Sequence, residues 1–205
     1  MMNTTFRRWA GLLTLMVVIA GCSGSPPSNH YVLSAKATAA PSKESPALGI
    51  GPVNVPEYLN RSGLVYSRQG NALRVSGTER WAEPLEDGIT RVISMNLAAL
   101  VDTHNVRFFP WNTRRAPDYG IKLNVLSLDA NDGEALLVAE WLVYRPATEA
   151  VVSRRISQLR HPLPDGALAP AQIAPAYSDL LYQLSDIIAR EILSAEAQSA
   201  GGAAG

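Results

Sequence analysis

Apolar residues recur at the spacing of an amphipathic helix in two stretches of the chain. The first begins after Pro84, which suits the first turn of a helix, and its Glu86 and Asp87 favour the positive end of the helix dipole. One face of this stretch carries Leu85, Ile89, Val92, Ile93, Asn96 and Leu100. The pattern predicts a helix that opens at Pro84.

The second stretch is longer, and its apolar stripe consists of Ile173, Tyr177, Leu180, Leu181, Leu184, Ile187, Ile188 and Ile192. Asp186 and Arg190 lie outside the stripe at a spacing that allows an i,i+4 ion pair. The polar face lacks the excess of Lys and Arg that a membrane-surface helix needs. We therefore predict one long helix whose stripe packs into the core.

Shorter β-favouring runs predict strands elsewhere. Before the first helix they lie at residues 31–33, 48–55, 64–66 and 73–75, and between the helices at residues 106–109, 121–128, 135–144 and 151–159. Turn-forming residues occupy 69–71 and 131–133. The alternation in the run at 121–128 slips at Leu126, which predicts a bulge or a strand covered on both faces. The run at 135–144 is apolar on both sides apart from Glu140, so we predict a central strand there.

This order of elements predicts an α+β fold with a mostly antiparallel sheet and both helices on one of its faces. A hydrophobic content of 47% is typical of a folded protein. We place a single periplasmic domain at residues 48–195. Residues 22–47 are predicted to hold a lipidated N-terminus, the short first strand and a linker rich in Ala, Ser, Lys and Pro, and residues 196–205 a disordered tail.

The N-terminus has the layout of a secretory signal. Arg7 and Arg8 precede an apolar run at residues 9–19, which ends in the small residues Ala20 and Gly21. The run is shorter than the ~20 apolar residues that a spanning helix needs. A buried amphipathic helix does not fit either, because the run is apolar on all sides. We predict that residues 1–21 are a cleaved signal peptide.

Cys22, the only cysteine in the 205 residues, follows this signal directly. Residues 19–22 resemble the lipobox of bacterial lipoproteins, in which the thiol receives a diacylglycerol. An internal disulfide is impossible without a second cysteine. Ser23 stands where an aspartate would retain an enterobacterial lipoprotein in the inner membrane. We therefore predict lipidation of Cys22 and anchoring at the periplasmic face of the outer membrane, where two or three acyl chains give stable attachment.

Charge and motifs favour no catalytic chemistry. Lys and Arg number 18, as do Asp and Glu, and loss of the two leader arginines leaves a formal charge of about −2, so nucleic acid is not an expected partner. His30, His104 and His161 lack a second ligand at metal-binding spacing. The sequence also lacks a nucleophile elbow, a dinucleotide loop and a Walker lysine. We expect no enzyme activity, no metal and no cofactor.

Residues 52–66, PVNVPEYLNRSGLVY, and residues 80–85, RWAEPL, together with YVL and the lipobox, resemble the PqiC/YmbA-type ABC-transport auxiliary lipoproteins. At residues 60–63, Asn-Arg-Ser-Gly departs from the Asp-Arg-Pro-Gln type usual in the family. The resemblance implies a non-enzymatic lipoprotein that docks an MCE-type lipid transport system, with its inner-membrane permease, at the outer membrane.

Tyr58, Arg61 and Trp81 are the candidate partner contacts, because Tyr, Arg and Trp dominate interface hot spots. For Tyr58 and Trp81, core packing is an equal alternative. Residues 72–81 either offer an edge strand to a partner or pair within the sheet. Ring-shaped MCE assemblies favour, by symmetry matching, a homo-oligomeric ring of the domain. The alternative functions are a structural, assembly or stress-response envelope lipoprotein without a role in lipid traffic and, less favoured, a periplasmic hydrolase.

Overall fold

The computed structural model describes residues 27–69, 71–131, 133–164 and 168–202. The predicted signal peptide and Cys22 lie outside the described residues, as do Gly70 and Asp132 of the predicted turns. The described elements are β1 (Asn29–Tyr31), β2 (Leu48–Asn54), β3 (Gly63–Gln69), β4 (Ala72–Trp81), α1 (Leu85–Val101), β5 (Val106–Phe108), β6 (Tyr119–Ala130), β7 (Glu134–Arg145), β8 (Ala150–Pro162) and α2 (Ile173–Gly202). Short 3-10 helices occupy Glu57–Leu59, Thr113–Arg115 and Pro170–Gln172.

The strands form two mixed sheets, in the orders β5-β2-β6-β7-β8 and β1-β4-β3. β2 runs parallel to both β5 and β6, and β1 runs parallel to β4, whereas the β3–β4, β6–β7 and β7–β8 pairs are antiparallel. The predicted α+β fold is confirmed, and its sheets are mixed rather than purely antiparallel, with most residue pairs in the antiparallel ladders. The parallel pairing of β5 with β2 follows from the crossover through α1, which returns the chain to the end where β2 begins, so that β5 enters in the same direction.

Both helices pack on one face of the five-stranded sheet, as predicted. α1 contacts β2, α2 contacts β6, β7 and β8, and the two helices contact each other. The side chains of β7 that face them are at most 1% exposed: Ala135, Leu137, Ala139, Trp141 and Val143. The outward Leu136, Val138 and Leu142 are only half-buried. β7 is thus an interior strand, as predicted, but only one of its faces is fully covered.

The first strand lies two residues earlier than the predicted run at 31–33. Tyr31 pairs with Trp81, which is the last residue of β4, so the parallel ladder has no partner strand beyond that point. Leu33 leaves the sheet and is 2% exposed in the core. The predicted bulge in β6 is confirmed, because its register with β7 shifts between Val125 and Ser127.

Residues 34–47, predicted to be a linker, lie against both helices, and we call them the strap. The backbone N–H of Ser34 donates to Oγ of Ser178 on α2 at 3.0 Å. The N–H groups of Lys36 and Ala37 donate to Oδ1 of Asn96 on α1, at 2.9 and 3.1 Å. These contacts join the first residues of the strap to the second turn of α2 and to the C-terminal half of α1.

The far end of the strap is held by Asp102, directly after α1. Its carboxylate accepts from the N–H of Ser42 at 2.8 Å and lies 3.0 Å from Nζ of Lys43. These contacts, with the Ser42 N–H the largest cause, lower the pKa of the Asp102 carboxyl below its ordinary value.

The chain after residue 195, predicted to be a disordered tail, is helical as far as Gly202. The hydroxyl of Tyr119 donates to Oε1 of Glu196 at 2.6 Å, and the guanidinium of Arg145 donates to Oγ of Ser199 at 3.0 Å. Burial and the bond to Glu196 raise the pKa of Tyr119 to about 12. The last turns of α2 are therefore fastened to β6 and β7.

Candidate functional site

A pocket of about 280 Å³ lies where β4 ends and α1 begins. Its lining residues are Asn60, Arg61, Ser62, Trp81, Ala82, Glu83 and Pro84. The N–H of Trp81 donates to the carbonyl oxygen of Ser62 at 2.7 Å, which fixes the two chain segments side by side. The fold therefore brings two of the three predicted contact residues, Arg61 and Trp81, into one concave site.

Trp81 belongs mostly to the core. Its side chain is 7% exposed, and its ring stacks against Tyr177 of α2 with centroids 6.3 Å apart and planes at 27°. The core-packing alternative thus describes Trp81, although the residue is also among those that line the pocket. The Tyr177 hydroxyl is buried without a hydrogen-bond partner among the described residues, and burial raises its pKa well above the ordinary value.

Arg61 is the exposed member of the predicted set. No hydrogen bond or ion pair joins its guanidinium to another residue in the part of the chain that the structure describes. Tyr58 lies in the preceding 3-10 helix, where it is half-buried and packs against the core. Partner contact by Tyr58, Arg61 and Trp81 stays a prediction.

The acidic group of the pocket is already paired. Glu83 accepts from the guanidinium of Arg91 on α1, and Arg91 also donates to the carbonyl oxygen of Leu33 at 2.9 Å. Arg61 is therefore the charge that faces the pocket without a counter-charge from the described residues. Such a site suits a carboxylate, because a guanidinium binds carboxylates in a bidentate geometry.

Gly63, one of the residues at 60–63 that depart from the usual family sequence, lies very close to β4. It pairs with Arg80, and a Cβ at this position would overlap the carbonyl oxygen of Ser76 on β4. A larger residue requires β3 and β4 to move apart. The local path of this chain beside Arg61 therefore depends on glycine.

The predicted edge strand, β4, has one side that is only partly paired with the strands that the structure describes. β4 pairs with β3 along most of its length, but β1 covers it only at residues 79–81. On the uncovered part, Leu73 and Val75 are 47% and 55% exposed. Both interpretations from the sequence thus describe β4, since it pairs within a sheet and no described strand pairs with residues 72–78 on its second side.

The three histidines lie in different segments of the chain and have different neighbours. His104 contacts Glu44 at 2.7 Å, His161 lies 3.9 Å from Asp179, and His30 sits in β1 opposite Arg80. In the described ranges, His, Cys, Asp and Glu side chains nowhere gather in threes that would suit a metal ion. Across the same ranges, no helix has the length and apolar character needed to span a bilayer.

Sequence reasoning missed a second set of exposed side chains. Phe108 and Phe109 are 54% and 52% exposed at the end of β5, beside Arg107. The three aromatic residues among positions 108–111 are a visible signal in the sequence, but strand periodicity assigns Phe108 and Phe109 only to the end of a strand.

This chain is similar in sequence to a family of transport lipoproteins. The model of the ABC-type transport auxiliary lipoprotein component family matches residues 31–189. The intermembrane transport lipoprotein PqiC of Escherichia coli is 26% identical over 145 residues, which cover 67% of this chain and 74% of that protein.

Two crystal structures share the fold. Protein XCC0632 from Xanthomonas campestris has a TM-score of 0.68 at 15% identity, covering 85% of this chain and 99% of that one. A second, uncharacterized protein has a TM-score of 0.63 at 18% identity, covering 82% of this chain and 99% of that one.

Proposed function

We propose that this chain, which belongs to the family of ABC-type transport auxiliary lipoprotein components, serves an MCE-type intermembrane lipid transport system as a non-catalytic accessory subunit. The observation that carries the proposal is the family match, which runs from β1 into the second half of α2. The similarity to an intermembrane transport lipoprotein over two thirds of the chain supports it.

The proposed docking site is the pocket beside Arg61. A subunit that acts through contacts needs a charged or aromatic side chain that its own fold leaves unpaired, and Arg61 is such a residue among those described. We propose that a carboxylate of an MCE-domain protein binds the Arg61 guanidinium, while the rim of Trp81 and nearby Tyr58 provide apolar contact. Charge complementarity at an interface contributes to specificity and to the rate of association more than to affinity.

The proposed location is the periplasmic face of the outer membrane. Membership of a lipoprotein family supports a lipid anchor, and Cys22 is the only thiol available to carry it. Few residues separate Cys22 from β1, so the anchor would hold the domain close to its bilayer.

A homo-oligomeric ring is part of the same proposal. Closed rings match ring-shaped partners because every subunit then makes the same contact. Light scattering on the purified domain tests this part separately. A monomer at all concentrations would contradict the proposed ring but not the proposed docking site.

The experiment for docking is a pull-down of purified MCE-domain proteins from the same genome. We expect Arg61→Glu to weaken capture at least tenfold, as for a hot-spot residue. Arg154→Glu is the matched control, because Arg154 is also exposed, lies on β8 outside the pocket lining and changes the charge equally. If the unmodified chain captures none of these proteins, the structural envelope lipoprotein is the better account.

A further inference from the structure

Residues 107–115 form a basic and aromatic segment at the edge of the five-stranded sheet. They contain three arginines, three aromatic residues and no acidic residue, in a chain whose basic and acidic residues balance overall. The segment comprises the end of β5, its following loop and the 3-10 helix Thr113–Arg115. Phe108 and Phe109 each leave about half of their surface exposed, at 54% and 52%. The exposed halves of the two rings therefore do not pack in the core of this fold.

The segment packs against β2 and is joined by contacts among its own residues. The ring of Trp111 covers Gly49 of β2 so closely that a Cβ there would lie 2.7 Å from its Cζ3 atom. Phe109 packs edge-on against Trp111 with centroids 5.5 Å apart. Oδ1 of Asn112 accepts from the N–H of Arg114 at 2.9 Å. Contacts of this kind restrict the loop before a ligand binds, which lowers the entropy cost of binding.

Two arginines of the segment meet at a cleft of about 400 Å³. Its lining residues are Arg107, Phe108, Trp111, Asn112 and Arg115. The guanidinium of Arg107 donates to the carbonyl oxygen of Arg115, which draws the two residues together. Neither arginine forms an ion pair with a carboxylate among the described residues. Two guanidinium groups beside aromatic walls fit a phosphodiester joined to an apolar group.

We propose that this cleft binds the phosphate of an anionic phospholipid in the bilayer that anchors the protein. Phe108 and Phe109 then enter the interfacial layer, where aromatic side chains are favoured. A lipoprotein domain meets its own bilayer at high effective concentration, so a weak site suffices to orient it. This inference rests on family membership and is independent of any MCE partner.

The neighbouring cleft explains how the domain would be oriented. Phe108 and Phe109 also border a cleft of about 370 Å³ whose lining includes Glu86, Asp87 and Thr90. An anionic surface attracts the arginine side of Phe108 and repels the carboxylate side. The bilayer therefore selects the face with Arg107 and Arg115.

Vesicle flotation tests the proposal with a chain that begins at Ser23 and so lacks the anchor cysteine. Every element and contact of the described fold lies within residues 27–202, so this chain retains them all. The vesicles are phosphatidylcholine alone or with one-third phosphatidylglycerol. We expect binding to the anionic vesicles only. The affinity for these vesicles should fall roughly fivefold in Arg107→Gln and roughly fivefold in Arg115→Gln.

The matched control is Arg74→Gln with Arg154→Gln, which removes the same charge from two exposed arginines outside the segment. Arg115→Gln keeps the contact that the Arg107 guanidinium makes with the carbonyl oxygen of residue 115. Phe108→Ser tests the apolar part of the site. Its control is Ile156→Ser, since Ile156 is 66% exposed on β8. Retained binding in the control variants and loss in the cleft variants support the site.

Three results would overturn it. The first is no preference for anionic vesicles, and the second is an equal loss in the charge control, which would indicate only net charge. The third is binding of soluble glycerol phosphate or of an acidic peptide that depends on the cleft, by a chain that does not bind the vesicles. That result would assign the cleft to a soluble ligand or a protein.

Discussion

The indole ring of Trp81 stacks on the phenol ring of Tyr177, with 6.3 Å between the ring centroids and 27° between the planes. The contact joins the end of β4 to α2, so the wall of the Arg61 pocket is also part of the core. A substitution at Trp81 therefore changes stability and site geometry together.

Trp81→Ala is expected to lower the free energy of unfolding by about 3–5 kcal/mol, because it removes a large buried ring. Urea denaturation measures this loss. Trp81→Phe keeps an aromatic ring against Tyr177 and should recover a large part of it. An unchanged denaturation midpoint for Trp81→Ala would show that the ring acts only as a surface contact.

Leu184→Ala is expected to cost about 2–5 kcal/mol of unfolding free energy, because Leu184 is fully buried in the stripe of α2. Leu193→Ala is the control on the same helix, where the leucine is 44% exposed. Its effect should stay within about 0.5 kcal/mol. Thermal melts measure both effects. Equal melting temperatures for Leu184→Ala and Leu193→Ala would refute the assignment of Leu184 to the core.

Asn96→Ala should release the strap. The change removes the oxygen that accepts from the N–H groups of Lys36 and Ala37, at a cost of about 1–3 kcal/mol for partly buried donors left unpaired. We expect faster amide hydrogen exchange in residues 34–47. Met95→Ala is the neighbouring control, since Met95 is 51% exposed on the same helix. Unchanged exchange in Asn96→Ala would mean that Asn96 does not hold the strap.

The helices could be predicted from the sequence because the information is local. A 3.6-residue period, Pro84 and the first-turn acids lie within the element that they specify, and the structure confirms both helices. The strap could not be predicted in this way, because Lys36 finds its acceptor 60 residues away. Its composition resembles that of a free linker, and only the tertiary fold supplies the polar groups that hold it.

In the candidate site, too, the sequence indicated what is local but not the contacts between distant residues. The sequence identified Arg61 and Trp81 by residue type, but Trp81 is buried by Tyr177, which lies in a helix far along the chain. The sequence also contained Glu83 without indicating that Arg91 neutralises it. The parallel pairing of β2 likewise depends on where the crossover through α1 returns the chain.

Cys22→Ser should abolish attachment of a labelled fatty acid and release the protein from the membrane or leave it unprocessed. The reason is that serine lacks the thiol that receives the diacylglycerol in a lipobox. Metabolic labelling followed by membrane fractionation measures both effects. Label incorporated into the serine variant at the level of the original chain would contradict the anchor.

Site-specific photo-crosslinking in living cells tests the docking proposal most directly. A photoreactive residue replaces Ser62, which is exposed on the pocket rim, and a second chain carries it at Arg190, exposed on α2, as the control. Our account predicts a crosslinked product with an MCE-domain protein from position 62, absent from position 190 and lost when Arg61→Glu is added. Capture of other envelope proteins alone from position 62, with no MCE-domain protein among them, would contradict it.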